Sequence, residues 1–376
     1  MKKILLVDGM FPSKFTGWRN YEIDALLKNF ELSVLVYKGG PWAGITYDFD
    51  WEYWNRKGDL NQYNILILDP KFNHLNRYNN KINGIKFNNL YPGSYIITKD
   101  SEFSLDSYLA VYHIFLGTYE RFNADFVVNP KLLQFVHLYV GGGFAFSLQN
   151  FTQNSVRYVS SHPLTSLMLE TEKARFIDCW GAPQSLEDEE LKLRRRTTKK
   201  MQVSFSSMGY RKEKGEPKFQ RIAFFYKAIF PHHNVSFVGI GNCRKSPFVE
   251  VHPPMDVESL ENFYRRDNHV HLNLMSKKAS NGWPLGLEAM KAGCVLITTD
   301  SNNSAKYFVK NSSRVKIKKW TLSFIFEIRK LYLNVQYWEE SSAKTQKFFM
   351  TYCSYEMQQK KVIEYVNTEI ESGEYN

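Results

Sequence analysis

The chain has 376 residues, of which 43% are hydrophobic and 23% are charged. This composition excludes a wholly disordered chain, and the length predicts about two domains. The 49 Lys and Arg residues outnumber the 38 Asp and Glu residues, which gives a net charge of +11. A basic protein favours anionic partners, namely nucleic acid, an anionic membrane face or phosphorylated small molecules.

Cysteine content and the amino-terminal sequence indicate the cellular compartment. The four cysteines lie far apart without a C-x-x-C pair, so the sequence predicts neither a disulfide framework nor a zinc site. The first apolar run ends at Asp8, which predicts a strand and not a signal peptide. No apolar run reaches the ~18–20 residues of a membrane-spanning helix. We therefore expect a cytoplasmic protein that can associate with the inner face of the cell membrane.

The first half of the chain alternates between short apolar runs and segments of helical periodicity. This alternation predicts a parallel sheet covered on both faces. The predicted strands are 4–7, 32–36, 65–68, 95–98, 126–128, 132–140 and 156–160, and the predicted helices are 21–30, 105–121 and 164–171.

The second half repeats this pattern after a run of acidic and then basic residues at 187–200, which is typical of a solvated linker. The predicted strands are 202–206, 235–238, 270–274 and 295–299, and the predicted helices are 219–230, 256–263, 287–292 and a tail over 323–371. We therefore predict an α/β protein with domains at 1–180 and 195–345 and a C-terminal helical segment at 346–376.

Several common sites are excluded by spacing. The chain has no G-x-S-x-G elbow, and Glu216 stands where a P-loop would have lysine. Gly239-Ile240-Gly241 follows a predicted strand, but Arg244 replaces the third glycine of a dinucleotide fingerprint. His269 and His271 lack a third ligand nearby, so we predict no metal site. The basic run carries no interleaved aromatics, so we also expect no nucleic-acid partner.

The most informative segment is the turn Ser280-Asn281-Gly282-Trp283-Pro284 before the helix that begins near Gly286. Free N–H groups at a helix N-terminus bind anions, and Glu288 one turn later can accept hydrogen bonds from a ribose. The alternative is a plain βα-turn in which Gly286 serves close packing and Glu288 favours the helix dipole.

This segment resembles the C-terminal signature of GT-B glycosyltransferases of family 4. The similar residues are Gly282–Met290, Ala292, Gly293 and 295–298, and the likeness extends upstream over 206–209, Arg211, Lys214, Gly215, 235–241 and 256–264. Over 1–180 the likeness is weaker and rests on Phe11, Pro12 and Gly17 after the first strand.

The resemblance implies two Rossmann-like domains facing a central cleft, with a C-terminal helix that returns to the first domain. It implies a retaining, metal-independent transfer from a nucleotide-sugar to a glycan or lipid-linked acceptor in bacterial surface polysaccharide biosynthesis. No cofactor is expected, because the nucleotide-sugar is a co-substrate. An anionic membrane is a further expected partner.

The resemblance also assigns roles to individual residues. Arg211 and Lys214 would bind the donor phosphates and act in catalysis, together with His137 or His162, between which the sequence does not choose. The donor-binding residues would be Gly17, Gly209, Ser280, Asn281, Gly282, Trp283, Gly286, Leu287 and Glu288.

One departure from the family motif motivates an alternative function. The second glutamate of the E-x7-E motif corresponds to Glu288, but the first falls at Ser280, or at Asn281 if the turn is one residue shorter. Neither residue is acidic. The alternative is a non-catalytic protein that binds nucleotide-sugars or serves as a scaffold.

Overall fold

The computed structural model describes residues 2–8, 20–36, 64–68, 95–97, 104–138, 155–161, 163–179, 200–206, 215–239, 246–255, 257–274, 283–299, 316–318 and 320–373. Within these ranges the strands form two separate sheets, and all neighbouring strands are parallel. The predicted α/β class with a parallel sheet in each half is confirmed.

The first sheet has eight strands in the described part of the chain. They are β1 (Lys3–Asp8), β2 (Glu31–Val36), β3 (Asn64–Leu68), β4 (Tyr95–Ile97), β5 (Ala110–His113), β6 (Leu133–Leu138), β7 (Val156–Ser160) and β8 (Phe176–Asp178). Their spatial order is β4-β3-β2-β1-β5-β6-β7-β8, so the direction of winding reverses between β1 and β5. The helices are α1 (Asn20–Asn29), α2 (Leu116–Asp125) and α3 (Pro163–Thr171).

The second sheet has six strands in the described ranges. They are β9 (Gln202–Ser206), β10 (Asn234–Val238), β11 (Glu250–Val251), β12 (Val270–Asn273), β13 (Val295–Thr299) and β14 (Lys316–Lys318). The order β11-β10-β9-β12-β13-β14 reverses between β9 and β12. The helices are α4 (Glu216–Ile229), α5 (Val257–Asn262), which continues as a π-helical turn (Phe263–Asp267), and α6 (Trp283–Lys291).

Three helices complete the chain: α7 (Thr321–Leu333), α8 (Val335–Tyr352) and α9 (Tyr355–Ser372). The breaks between them are set by capping side chains. Asn334 Oδ1 accepts a hydrogen bond from the Tyr337 amide, and Ser354 Oγ accepts one from the Met357 amide. Each cap satisfies a backbone N–H that a new helix would otherwise leave without a partner.

Both sheets are covered on two faces, which explains why their central strands are almost wholly apolar. On one face of the first sheet, α1 and α9 share a core that includes Leu26, Phe30, Val362 and Val366. On the second sheet, α4 and α7 cover one face, and α6 and α8 pack on the other.

Two predicted elements were wrong. The predicted helix 105–121 contains a single 3₁₀ turn (Leu105–Ser107), strand β5 and the first half of α2. The predicted strand 126–128 is irregular chain, and Val127 is fully exposed. Strands β8, β11 and β14 were not predicted. The predicted tail is helical but divided into three helices, and residue 346 lies inside α8.

The domain limits themselves stay predictions, since 180–199 lies outside the described residues. No helix in the described part of the chain is both long and apolar enough to cross a bilayer.

Candidate active site

Two helices of the second sheet begin at the carboxyl end of β12. The cap residue of α4, Gly215, lies against Leu274, which directly follows β12. A Cβ atom on Gly286 of α6 would lie 3.8 Å from Nδ2 of Asn273, the last residue of β12. Because α4 follows β9 and α6 follows β12, both helix N-termini lie at the point where the strand order reverses. Ligands of open α/β sheets bind at this position.

Glycine is required at the start of α4. Gly215 has a φ of 91°, and a Cβ on it would lie 2.0 Å from the carbonyl oxygen of Leu274. The carbonyl oxygen of Gly215 accepts the first helical hydrogen bonds, from the amides of Lys218 and Phe219 at 3.0 and 2.9 Å. A side chain here would therefore push α4 away from the end of β12.

Glu288 lies in α6, the helix that begins at the carboxyl end of β12, and its carboxyl oxygen Oε2 is buried. Among the described residues Oε2 has no hydrogen-bond partner. Burial raises the pKa of Glu288 to about 8, while Lys291 acts to lower it and Glu261 to raise it. A buried carboxyl group with an unused oxygen is a site at which a ligand hydroxyl can donate a hydrogen bond.

A chain of buried polar groups lies next to Glu288. His271 of β12 contacts Ser204 Oγ through Nδ1 at 2.9 Å and Ser206 Oγ through Nε2 at 3.3 Å. Burial lowers the pKa of His271 to about 3, so its ring is neutral at pH 7. The Tyr264 ring meets the His271 ring edge-on at 5.5 Å. Burial, and secondly the charge of Glu288, raises the pKa of Tyr264.

The first sheet carries a second buried polar group at its own reversal point. Glu22, in the first turn of α1, accepts a hydrogen bond from the Tyr112 hydroxyl at 2.5 Å. The other carboxylate oxygen of Glu22 lies 2.7 Å from Nδ1 of His137, and both side chains are fully buried. Glu22 and Tyr112 therefore orient the imidazole of His137 from α1 and β5.

Several residues predicted for the site lie within the described ranges. Trp283 is the first residue of α6, and Gly286 and Glu288 lie further along it. The Leu287 side chain packs in the core against Phe348 and Phe349, so only its backbone is left to meet a ligand. His137 is the fifth residue of β6, in contact with Glu22. Gly17, His162, Gly209, Arg211, Lys214, Ser280, Asn281 and Gly282 lie outside the described residues.

Sequence reasoning missed Glu22, Tyr112 and Tyr264. A glutamate in a first helical turn is ordinarily a partner of the helix dipole, and Tyr112 fell inside a predicted helix. Within the described ranges no group of three or more His, Cys, Asp or Glu side chains is placed to hold a metal ion.

Solved structures similar in fold to this chain include TarM, HepE and an O-GlcNAc transferase. A mutant of S. aureus TarM, in complex with Fondaparinux, alpha-GlcNAc-glycerol and UDP, has a TM-score of 0.66 at 10% identity and covers 98% of this chain and 100% of its own. Anabaena Alr3699/HepE, in complex with UDP and glucose, has a TM-score of 0.63 at 11% identity, over 98% of this chain and 100% of its own.

A partial match is the pneumococcal O-GlcNAc transferase GtfA in complex with UDP and GlcNAc. It has a TM-score of 0.51 at 14% identity, and the match covers 70% of this chain and 56% of GtfA. No protein-family model and no curated protein matches the sequence. The likeness over nearly the whole of this chain shows that it has the GT-B fold of these transferases.

Proposed function

We propose that this chain is a glycosyltransferase that moves a sugar from a nucleotide-sugar donor to a glycan or lipid-linked acceptor. The observation that carries the proposal is the meeting of the α4 and α6 N-termini at the carboxyl end of β12, with the unused Glu288 carboxyl oxygen beside them. Helix N-termini provide N–H donors and positive dipole ends for a diphosphate. A carboxyl group one turn away suits a ribose.

The motif residues around this site supply the remaining parts of the proposal. Arg211 and Lys214 precede the cap residue Gly215 by four residues and one residue in sequence, which is why we propose that both cations act at the α4 N-terminus. Two cations and two helix ends can neutralise a diphosphate leaving group, which is the basis for proposing a metal-independent, family 4 enzyme. Gly17, Gly209 and residues 280–282 complete the proposed donor site.

The reaction needs charge stabilisation at one phosphate. The bond between the sugar C1 and the β-phosphate oxygen breaks, C1 bonds to the oxygen of an acceptor hydroxyl, and the proton of that hydroxyl passes to the departing nucleoside diphosphate. Negative charge grows on the β-phosphate, so Arg211 and Lys214 act more strongly in the transition state than in the bound donor. We expect retention of configuration, with His137 or His162 contributing from the first domain.

The solved structures of similar fold guide the choice of donor to test first. HepE and TarM were solved with UDP, so a UDP-sugar is the first donor to test. The net charge of +11 suits both a diphosphate and the anionic membrane that carries lipid-linked acceptors. We place the reaction in bacterial surface polysaccharide biosynthesis, at the inner face of the cell membrane.

A donor panel tests the proposal. The protein is incubated with UDP-, GDP- and ADP-sugars, and release of nucleoside diphosphate is followed with and without glycan acceptors. We expect slow hydrolysis of one donor without acceptor and faster release with one. Binding of a nucleotide-sugar without release would instead support the non-catalytic binding protein.

Arg211→Ala and Lys214→Ala should each lower kcat by about 10²-fold, the scale of a lost oxyanion donor. Arg266→Ala, which removes an exposed arginine after α5, is the matched control and should retain kcat. Melting temperatures of all three variants should stay near wild type, because the role proposed for Arg211 and Lys214 is in binding the donor and not in folding, and the exposed Arg266 contributes little to stability. Full activity in both loop variants would remove Arg211 and Lys214 from the proposed site.

A further inference from the structure

Helices α4 and α7 form one outer layer on the second sheet. Lys218 Nζ of α4 lies 4.8 Å from the ring centre of Phe324 in α7. At the other end of the pair, His233 just after α4 meets Tyr332 of α7, with ring centres 4.4 Å apart. The two helices therefore run side by side in the same direction, and their outer surfaces form one continuous face.

The outer surface of α7 is apolar where a solvent-facing helix is usually polar. Leu322, Phe326 and Leu333 follow one another at spacings of four and seven residues, so they lie on one side of the helix. Their exposed fractions are 56%, 63% and 63%, and Trp320, which caps this helix, is 77% exposed. These residues are unburied although Phe324, Ile325 and Ile328 of the same helix fill the core.

The outer surface of α4 continues the apolar area. Phe224, Phe225 and Ile229 are exposed, with the rings of Phe224 and Phe225 5.2 Å apart. Phe248, on the chain before β11, extends this group, since its ring lies 5.2 Å from that of Phe224. A contiguous apolar area of this kind indicates an interaction surface.

All exposed charges of the two helices are positive. Arg221, Arg329 and Lys330 are exposed. Each helix has one acidic residue, Glu216 in α4 and Glu327 in α7, and both are buried. Glu327 is paired with Lys318 at 2.8 Å and accepts a hydrogen bond from the Tyr337 hydroxyl at 3.0 Å. The outer face of α4 and α7 therefore combines large apolar side chains with positive charge alone.

We propose that this face, formed by the exposed residues of α4 and α7 with Trp320, docks the protein on an anionic lipid membrane. Aromatic and aliphatic side chains would enter the headgroup region while Arg221, Arg329 and Lys330 contact lipid phosphates. A second copy of the chain fits less well as the partner. A two-fold contact brings the same face of both copies together, so positive charge would meet positive charge. The inference deepens the proposed function, since it names the surface that brings the donor site to a lipid-linked acceptor.

Vesicle sedimentation with the full chain tests the proposal without any sugar transfer. One set of vesicles is phosphatidylcholine alone, and the other contains equal parts of phosphatidylcholine and phosphatidylglycerol. We expect binding to the second set only, weakened by added salt. Arg329→Glu should lower the affinity by about fivefold or more. Phe326→Ser should lower it by about fivefold or more as well.

The controls are a charge reversal and an apolar-to-serine change elsewhere on the molecule. Lys131→Glu removes an exposed lysine, and Val127→Ser removes a fully exposed valine, both from the chain between α2 and β6. Neither should lower vesicle binding by more than about twofold, since neither lies on the docking face. All variants should keep the melting temperature of the wild type, because these side chains are exposed.

Three results would overturn the proposal. The first is an absence of binding to the anionic vesicles. The second is an equal loss of binding in Lys131→Glu and Arg329→Glu, which would show that vesicle binding depends on the net charge of the protein and not on the docking face. The third is a concentration-dependent dimer that Phe326→Ser dissociates, which would assign the face to a second copy. An assay of sugar transfer to a soluble acceptor tests the membrane-docking proposal separately from the proposed catalysis. Phe326→Ser and Arg329→Glu should retain wild-type transfer to the soluble acceptor.

Discussion

Glu288 holds a carboxyl group in a position where ionisation is unfavourable. Burial raises its pKa to about 8, against 4.5 for an exposed glutamic acid, with Lys291 opposing the shift and Glu261 adding to it. Between these two pH values the folded protein holds a proton that the unfolded chain has released. The contribution of Glu288 to stability is therefore fully present below the lower pKa and is lost as pH rises through the higher one. Buried carboxyl groups with raised pKa values are concentrated at functional sites.

The Glu288→Gln variant separates a ligand-binding role from a structural one. We expect nucleoside diphosphate binding to weaken by about threefold to tenfold, since the ribose hydroxyl loses a buried hydrogen-bond acceptor and such a bond contributes about 0.5–1.5 kcal/mol. The melting temperature of the variant should fall less than that of the wild type as the pH rises from about 5 to 9, because no carboxyl group is left to ionise. Isothermal titration and thermal melts over this range give both quantities.

Glu120→Gln is the matched control, since Glu120 is exposed on α2. It should change neither the nucleotide affinity nor the pH dependence of melting. An unchanged affinity in Glu288→Gln would remove Glu288 from the donor site, and parallel melting curves for variant and wild type would show that its burial does not matter to stability.

At the scale of the elements, buried strands with continuous apolar runs were the most predictable. Strand β13 matches the predicted 295–299 residue for residue. Strand β5 was missed because Ala110–His113 lies between segments of helical periodicity, and its place between β1 and β6 depends on partners far along the chain. The short edge strands β11 and β14 carry too few apolar residues to be recognised.

The candidate site was predictable only where it is local. The turn and helix around Gly286 and Glu288 can be recognised in one stretch of sequence. The contact of Glu22 with Tyr112 and His137 cannot, because it joins residues 90 and more positions apart. Only the reversal of strand order between β1 and β5 brings α1 close to β6 at the carboxyl ends of the strands.

The start of α4 depends on a single glycine. Gly215→Ala should destabilise the protein by more than ~1 kcal/mol, because the residue has a positive φ and its Cβ would overlap Leu274. Gly117→Ala is the control: Gly117 lies in the first turn of α2, where a Cβ meets nothing within 4 Å. That change should be neutral or stabilising by up to ~1 kcal/mol. Urea unfolding of the two variants measures both effects, and equal stabilities would contradict the requirement for glycine.

At the scale of the whole molecule, the consecutive helices α8 and α9 attach the chain to both sheets. Helix α8 belongs to the second sheet, since the Trp338 indole donates to the His269 carbonyl at 3.1 Å and Ser342 Oγ to the Gly293 carbonyl at 2.5 Å. Helix α9 belongs to the first, through the Tyr355 hydroxyl on Asp24 and Arg157 on Glu369. The two attachments meet at Cys353 and Ser354, so two consecutive helices connect the second sheet to the first.

The ion pair between Arg157 and Glu369 belongs to this attachment, and both side chains are nearly buried, at 4% and 10% exposure. Arg175 adds a second contact to the same Glu369 oxygen at 3.3 Å. Glu369→Ala leaves Arg157 buried without its carboxylate, which should cost about 3–5 kcal/mol. The double variant with Arg157→Ala should lose less than the sum of the single losses, since the pair is then removed together.

Glu364→Ala on the same helix is the control, because the Glu364 side chain is 64% exposed in its pair with Lys360 and should contribute less than ~1 kcal/mol. Amide hydrogen exchange shows where the stability is lost. In Glu369→Ala the amides of α9 and β7 should exchange faster, because the free energy of local opening of α9 is lowered. The exchange rates of the β13 amides should not change. Equal acceleration in β13 would show that α9 stabilises both sheets as one unit, and no acceleration in α9 would show that its apolar contacts with α1 are sufficient to hold it.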